Sequence, residues 1–266
     1  HFKKDVTAQL GAPSAAVLIK AKAAATPEEE AAYDVLAGLT FESFDRRRRP
    51  GQHLFRTVLE KALFSSPAAC LQTVRERLRK LESVTTEEAT RDREGLRKLE
   101  AALLPVTPAR FSRYQRLLQL LRSPSELAWD GRDTKDRLVV FTERIETLKL
   151  LREQLQRDCG LRDEQVAVLH GQDGSDVDQQ RIVEDFGRER SPVRLLLATD
   201  MASEGINLHF LCRKMVHFDT PWSFIVFQQR NGRIDRYGQD HQPLIAYLFV
   251  ESKTARVKGD TRILEL

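Results

Sequence analysis

The sequence predicts an α/β fold: a parallel sheet flanked by helices, preceded by a mostly helical region. Three observations predict it. From residue 137 onward, short β-branched apolar runs alternate with helical segments, the pattern of strands buried on both faces. Before residue 130 the apolar residues recur at three- and four-residue spacing. Between the two lies "SPSELAWDGRDTKD", where Ser, Pro, Gly and Asp mark turns and a linker. The expected division is a helical region over 1–130 and a sheet domain over 131–266.

The helical region is read first. "TPEEEAAYDVLAGL" opens with Thr26 as N-cap, Pro27 at the first helical position and glutamates in the first turn. Segment 53–64 has apolar residues at 54, 55, 58, 59 and 63, which share a helix face. A further helix is expected over 67–82, starting at Pro67. Segment 85–104 interleaves acids and arginines, so an exposed helix or a hairpin arm is expected there. Segment 108–122 is amphipathic again.

In the second half, strands are expected over 137–142, 166–170, 193–199, 214–219 and 244–250. Helices are expected over 143–158, 176–189 and 223–236. The carboxyl ends of such strands are where ligands of open α/β sheets bind. They are Thr142, His170-Gly171, "ATDMASEGIN" and "HFDTPW", all rich in hydroxyls, glycines and short polar residues. Hydroxyls and free backbone N–H groups suit phosphate oxygens.

Composition narrows the classes. The 266 residues are 41% hydrophobic and 31% charged, as in a soluble globular protein with a sizeable core. There is no run of about 18 apolar residues, so no membrane span is expected. The N-terminus "HFKKDVTAQLG" has neither an initiating methionine nor a signal-peptide apolar stretch, and the chain is expected to belong to something longer. Cys70, Cys159 and Cys212 form no CxxC pair, which fits a reduced, cytoplasmic setting. His209, Cys212 and His217 lie close in sequence without the paired spacing zinc requires, so no metal site is assigned. The net charge of +4 permits a nucleic-acid partner without demanding one, and "RRRR" at 46–49 reads as a solvated basic loop or, alternatively, a phosphate-contacting one.

One stretch asks for an anion. "QQRNGRIDRYGQ" (228–239) carries Arg230, Arg233 and Arg236 three residues apart, with Asp235 the one acid before Gln239. On a helix, Gln229, Arg233 and Arg236 would share a stripe, Gly232 would leave room for close approach and Gly238 would end the element. Guanidinium forks bind phosphate oxygens bidentately, so a triphosphate is the natural partner.

"ATDMASEGINL", "HFDTPW" and "QQRNGRIDRYGQ", in this order and spacing, resemble motifs V and VI of superfamily-two helicases. The ending Arg233-Ile-Asp-Arg236-Tyr-Gly-Gln239 resembles the Swi/Snf-type ATP-dependent DNA translocases, with bacterial RapA-type and DISARM-type proteins nearest in form. "RLVVFTE" and "LHGQDGSDVDQQRIVEDF" resemble the preceding motifs, and "HFKKDV" and "LFSSPAACLQTVRERL" are similar to the segments that open this lobe. The resemblance implies a RecA-like second helicase lobe. It implies that Arg233 and Arg236 face nucleotide phosphates, one of them as an arginine finger. Gly205, Asn207 and Gln229 would lie at the nucleotide, and Thr142, His170, Gly171, Arg181, Thr199 and Ser203 at the nucleic-acid backbone.

The pattern is not fully kept. Many members of the family have Trp-Asn-Pro where this chain has Trp222-Ser223-Phe224, so Ser223 is expected to cap the helix. Glu204 brings a carboxylate that would repel phosphate. No GxxxxGK[ST] and no DExH box occur, and "DEQV" (163–166) lies between a helix and a strand. ATP and Mg2+ would therefore be held mainly by a first lobe outside this chain, and the chain alone is expected to be inactive. Expected partners are double-stranded DNA and that first lobe, with RNA polymerase or defence-system proteins as candidate targets. The rival readings are the second lobe of an RNA helicase, which the "RYGQ" ending disfavours, and a non-catalytic binding module, which needs neither Arg233 nor Arg236.

Overall fold

The computed structural model describes residues 16–42, 50–171, 176–200, 206–221, 223–236, 239 and 241–254. The basic run 46–49, Ser203, Glu204, Gly205, Trp222 and Gly238 lie outside the described residues.

The strands are β1 (Val17–Ala24), β2 (Arg137–Phe141), β3 (Val166–Leu169), β4 (Leu195–Ala198), β5 (Cys212–His217) and β6 (Leu244–Glu251). They form one sheet in the order β1-β6-β5-β2-β4-β3. The ladders β3·β4, β4·β2, β2·β5 and β5·β6 are all parallel. Backbone bonds from Val17 to Pro243 and from Ala25 to Glu251 run β1 in the same direction as β6. Strands β2 and β4 are buried along their whole length, as continuous Val/Leu runs require. The family of expected strands is present, and β1 is an addition. Its "VLIKAKAA" stretch is alanine-rich and mostly exposed, so the apolar pattern is weak and pairing with β6 decides its state.

The chain divides into two compact units, each assembled from separate stretches of sequence. The first comprises His1–Ala21, Gln119–Thr142 and Leu151–Tyr247. Its core joins Val139, Phe141, Leu196, Met215 and Ile245 from the strands with Phe186, Leu208 and Ile234. Helix α7 (Asp176–Phe186) packs against β3. The turn region after Ser123 is not a loose linker. Leu127 and Trp129 are buried, their N–H groups donate to Leu120 and Leu121 carbonyls, and the Trp129 indole donates to the Asp136 carbonyl.

The second unit comprises Lys22–Leu118, Glu143–Leu150 and Leu248–Leu266. Its helices are α1 (Pro27–Gly38), α2 (Pro50–Ser65), α3 (Pro67–Leu81) and α4 (Glu87–Leu103). Helix α5 (Ser112–Arg122) and helix α6 (Ile145–Cys159) begin in it. Thr26 caps α1 through a full capping box: its hydroxyl accepts from Glu29 N–H and Glu29 Oε2 accepts from Thr26 N–H at 2.8 Å. Glu29 also accepts from the Ser112 hydroxyl at 3.0 Å, so one carboxylate fixes the starts of two helices. The charged helix α4 is not free-standing. Leu96, Leu99 and Leu103 recur at helical spacing and enter the core with Leu36, Leu59 and Val74. Arg93 donates to the Leu81 and Val84 carbonyls and closes the end of α3. All three cysteines are free thiols.

Candidate nucleotide and nucleic-acid site

The register places the strand ends in a row. Leu169, Ala198, Phe141 and His217 are aligned across β3, β4, β2 and β5. The ladder continues one step, with Thr199 N–H donating to Leu169, Thr142 N–H to Ala198 and Phe218 N–H to Phe141. His170, Thr199 and Thr142 thus follow one another along the carboxyl edge, about 5 Å apart per strand. Strand β2 sits where the crossovers reverse direction, between β4 and β5, the usual ligand crevice of such sheets.

Helix α8 (Phe224–Asn231) lies over this edge. It is shorter than the expected 223–236. Ser223 is its N-cap residue, but its side chain makes no capping bond. The helix stops because the Asn231 carboxamide turns to His217 Nε2 at 2.8 Å and the chain tightens past Gly232. Arg233 and Arg236 stand in the turns beyond the helix, not on a helical stripe with Gln229. An added Cβ at Gly232 would make ordinary contacts with the Gln228 and Gln229 carbonyls.

The three arginines separate into two kinds. Arg230 is 1% exposed. Its Nε and Nη2 donate as a fork to the two oxygens of Asp200, the latter at 2.7 Å, and Nη1 donates to the Asp219 carbonyl at 3.1 Å. Thr142 donates its hydroxyl to Asp219 Oδ2 at 2.6 Å. Arg230 therefore ties together the ends of β2, β4 and β5. Its charge is answered chiefly by the Asp200 carboxylate, 30 residues away, and by the Asp219 carboxylate at 3.9 Å. His217 completes the cluster. Its Nε2 faces the Asn231 oxygen, its Nδ1 faces Arg230 Nη1 at 3.4 Å, and its ring stacks on Phe227. Burial, and then the Arg230 charge, push the His217 pKa down to about 3, so the ring is neutral and can accept from Arg230.

Arg233 and Arg236 stand nearer the surface, Arg233 half-buried and Arg236 exposed. Arg233 Nη1 donates to the Ile206 carbonyl at 3.3 Å, and the Arg233 carbonyl accepts from Leu208 N–H at 3.0 Å. Arg236 is exposed and donates to the Asn207 carboxamide oxygen. The structure thus brings Asn207, Arg233 and Arg236 together. Burial and the Arg236 charge hold the His209 pKa below its usual value, a sign of positive potential here. Gln229 is exposed on α8, Gly171 is exposed beyond β3, Arg181 is exposed on α7 and His170 is half-buried. Thr142 and Thr199 are buried, and the Thr142 hydroxyl is already bonded to Asp219. Among the described residues no group of three or more His, Cys, Asp or Glu side chains could hold a metal ion. Cys212 and His217 occupy opposite ends of β5, with the Cys212 thiol donating to the Lys214 carbonyl.

Sequence reasoning missed Arg230, Asp200, Asp219, His217 and Asn231 as a unit. The available signal was an acid one or two residues past each of two buried strands, "ATD" and "HFD", facing an arginine-rich segment.

Comparison with known proteins supports the fold. Residues 112–238 match the helicase conserved C-terminal domain. The SNF2 domain-containing protein CLASSY 4 of Arabidopsis thaliana is 34% identical over 119 residues, 44% of this chain and 10% of that protein. The RNA polymerase-associated protein RapA of Erwinia tasmaniensis is 34% identical over 126 residues, 47% of this chain and 12% of its own. The chain thus spans about a tenth of the length of the curated relatives it matches. Among solved structures, the C-terminal part of the Fun30 ATPase domain superposes with a TM-score of 0.55 at 14% identity, over 90% of this chain and 86% of that one, which supports the fold.

Proposed function

We propose, for a chain that is a C-terminal helicase lobe of the Snf2-like type, that it acts as the second motor lobe of an ATP-dependent double-stranded DNA translocase. The observation that carries this reading is the placing of Arg233 and Arg236 together over residues 206–207, Arg233 on the Ile206 carbonyl and exposed Arg236 on the Asn207 carboxamide. An exposed guanidinium bonded to a carboxamide, as Arg236 is, gains a charge-assisted pair by exchanging it for a phosphate oxygen.

Bound ATP would supply the phosphoanhydride bond that is broken. Arg233 and Arg236 would neutralise charge on the phosphate oxygens, with Asn207, Gln229 and Gly205 beside them. Thr199, Ser203, His170, Gly171 and Arg181 would follow the DNA backbone, giving low sequence specificity and strong salt dependence. Thr142 would enter through Asp219, because its hydroxyl is buried in that bond. The first lobe, which the reading requires, would hold most of the nucleotide and the Mg2+. In this reading the division at residue 130 separates an accessory helical region from the motor lobe. RNA polymerase or defence-system proteins would be its targets, in the cytoplasm.

The test is ATP hydrolysis by the full-length protein with no nucleic acid, with duplex DNA and with RNA, beside this chain alone. The expected result is strong stimulation by duplex DNA and silence from the isolated chain. Stimulation by RNA alone would replace the reading with an RNA helicase lobe. An absence of ATP turnover under all conditions would leave a helicase-like binding module.

A further inference from the structure

Asp200, just past β4, and residues 206–208, before β5, all bond to the stretch 230–236. Asp200 receives the Arg230 fork. Ile206 and Asn207 accept from Arg233 and Arg236, and Leu208 N–H donates to the Arg233 carbonyl. On the proposed function, Arg233 and Arg236 must turn to phosphate, and their side-chain bonds to 206–207 are then given up. Arg230 cannot follow them. It is buried, its donors are aimed at Asp200, the Asp219 carbonyl and His217, and its guanidinium also lies over the Phe141 ring.

We infer that Arg230, acting through Asp200, is a positioning residue: it keeps Asp200 and residues 206–208 in register with the arginine turn while Arg233 and Arg236 exchange their protein partners for phosphate. Its shape is essential to the role. The planar fork spans both Asp200 oxygens while a third nitrogen reaches the β5 end, which a lysine ammonium cannot do. Neutralising Asp200 is not enough; the geometry must be kept.

The catalytic consequence rests on the proposed function, so the test has one readout that depends on it and one that does not. In the full-length protein, Arg230→Lys and Asp200→Asn are compared with the unaltered chain. The first readout is amide exchange at Leu208, whose N–H bonds to Arg233, against Leu138, whose N–H bonds to Arg194 at the other end of the sheet. Exchange at Leu208 is expected to quicken about tenfold or more while Leu138 holds steady, because the opening is local. The second readout is steady-state ATP hydrolysis. Here kcat is expected to fall about tenfold or more, with KM for ATP changed by no more than about threefold, since the loss falls on the transition state.

Leu208 and Leu138 quickening together in both variants would make Arg230 a general stabiliser and overturn the proposal. So would wild-type exchange in Arg230→Lys, or unchanged kcat beside a mobile Leu208. If Arg230→Lys does not fold, Asp200→Asn decides, because it keeps the size and one acceptor. If the unaltered protein turns over no ATP, the proposed function fails and the exchange comparison still decides whether the staple exists.

Discussion

The two ends of the same parallel sheet both bury cations, and they do so differently. At the amino end, Arg137 is fully buried and donates to the carbonyls of Phe186, Arg188 and Ser191. Burial, with Arg194 nearby, pushes its pKa down to about 10. Lys214 is bonded to Asp136 at 2.6 Å and to the Ala128 carbonyl. These groups are closed to solvent and hold the first turns of the sheet. At the carboxyl end one cation, Arg230, is closed in the same way, and Arg233 and Arg236 follow it in the turns past α8. Burial with matched partners makes a cation structural. Accessibility leaves it available to an anion, and Arg236 is exposed.

The comparison breaks most visibly at the accessible pair. Arg233→Ala with Arg236→Ala should lower ATP turnover of the full-length protein by about a thousandfold or more. Its stability to urea should shift by about 1 kcal/mol, the size of the bond lost at half-buried Arg233. A large stability loss would place these arginines with the structural kind.

Arg230→Met should behave in the opposite way in the unfolding measurement. It strands Asp200 and Asp219 at a partly buried edge and should cost about 3 kcal/mol of stability in urea titration. Lys214→Met is the matching change at the amino end. It leaves Asp136 uncompensated where both side chains are nearly buried, and about 3 kcal/mol is again expected. The second change Asp136→Leu should recover most of that loss, since a well-packed apolar pair replaces a buried ion pair at little cost. ATP turnover per folded molecule should be unaffected by Lys214→Met; a fall in kcat would show that the amino end also serves the reaction.

The smallest and most graded effect concerns pH. His217 takes its proton near 6.5 when unfolded and at about 3 when folded, so the unfolded chain binds more protons between those values. This contribution to stability is complete above pH 6.5 and is lost as pH falls toward 3. His217→Gln should flatten the fall in urea midpoint across that window relative to the unaltered chain. An identical pH profile in the variant would remove His217 from the cluster's energetics.

Much of the fold was legible because local chemistry and tertiary context agree. Thr26, Pro27 and Glu29 specify a helix start by sequence separation alone, and the structure keeps the reciprocal bonds. "RLVVF", "VAVL" and "LLLA" are too short and too apolar for anything but buried strands in this pattern. β1 was not legible, because "KAKAA" favours a helix by propensity and its strand state depends on β6, more than 220 residues away, as the Lys22–Glu251 bond with its separation of 229 illustrates. The end of α8 was also misjudged, since the side chain that draws Asn231 aside belongs to β5.

Apart from β1 and the end of α8, the sequence by itself determined the elements, their order, and the residue types at each strand end. These depend on periodicity, capping and motif spacing, which act over a few residues. The tertiary structure alone decided which arginine is which. Arg230, Arg233 and Arg236 are the same chemistry at the same spacing. They differ in surroundings because Asp200 and Asp219, which follow separate strands, meet the first of them out of water, while Arg233 is half-buried and Arg236 exposed.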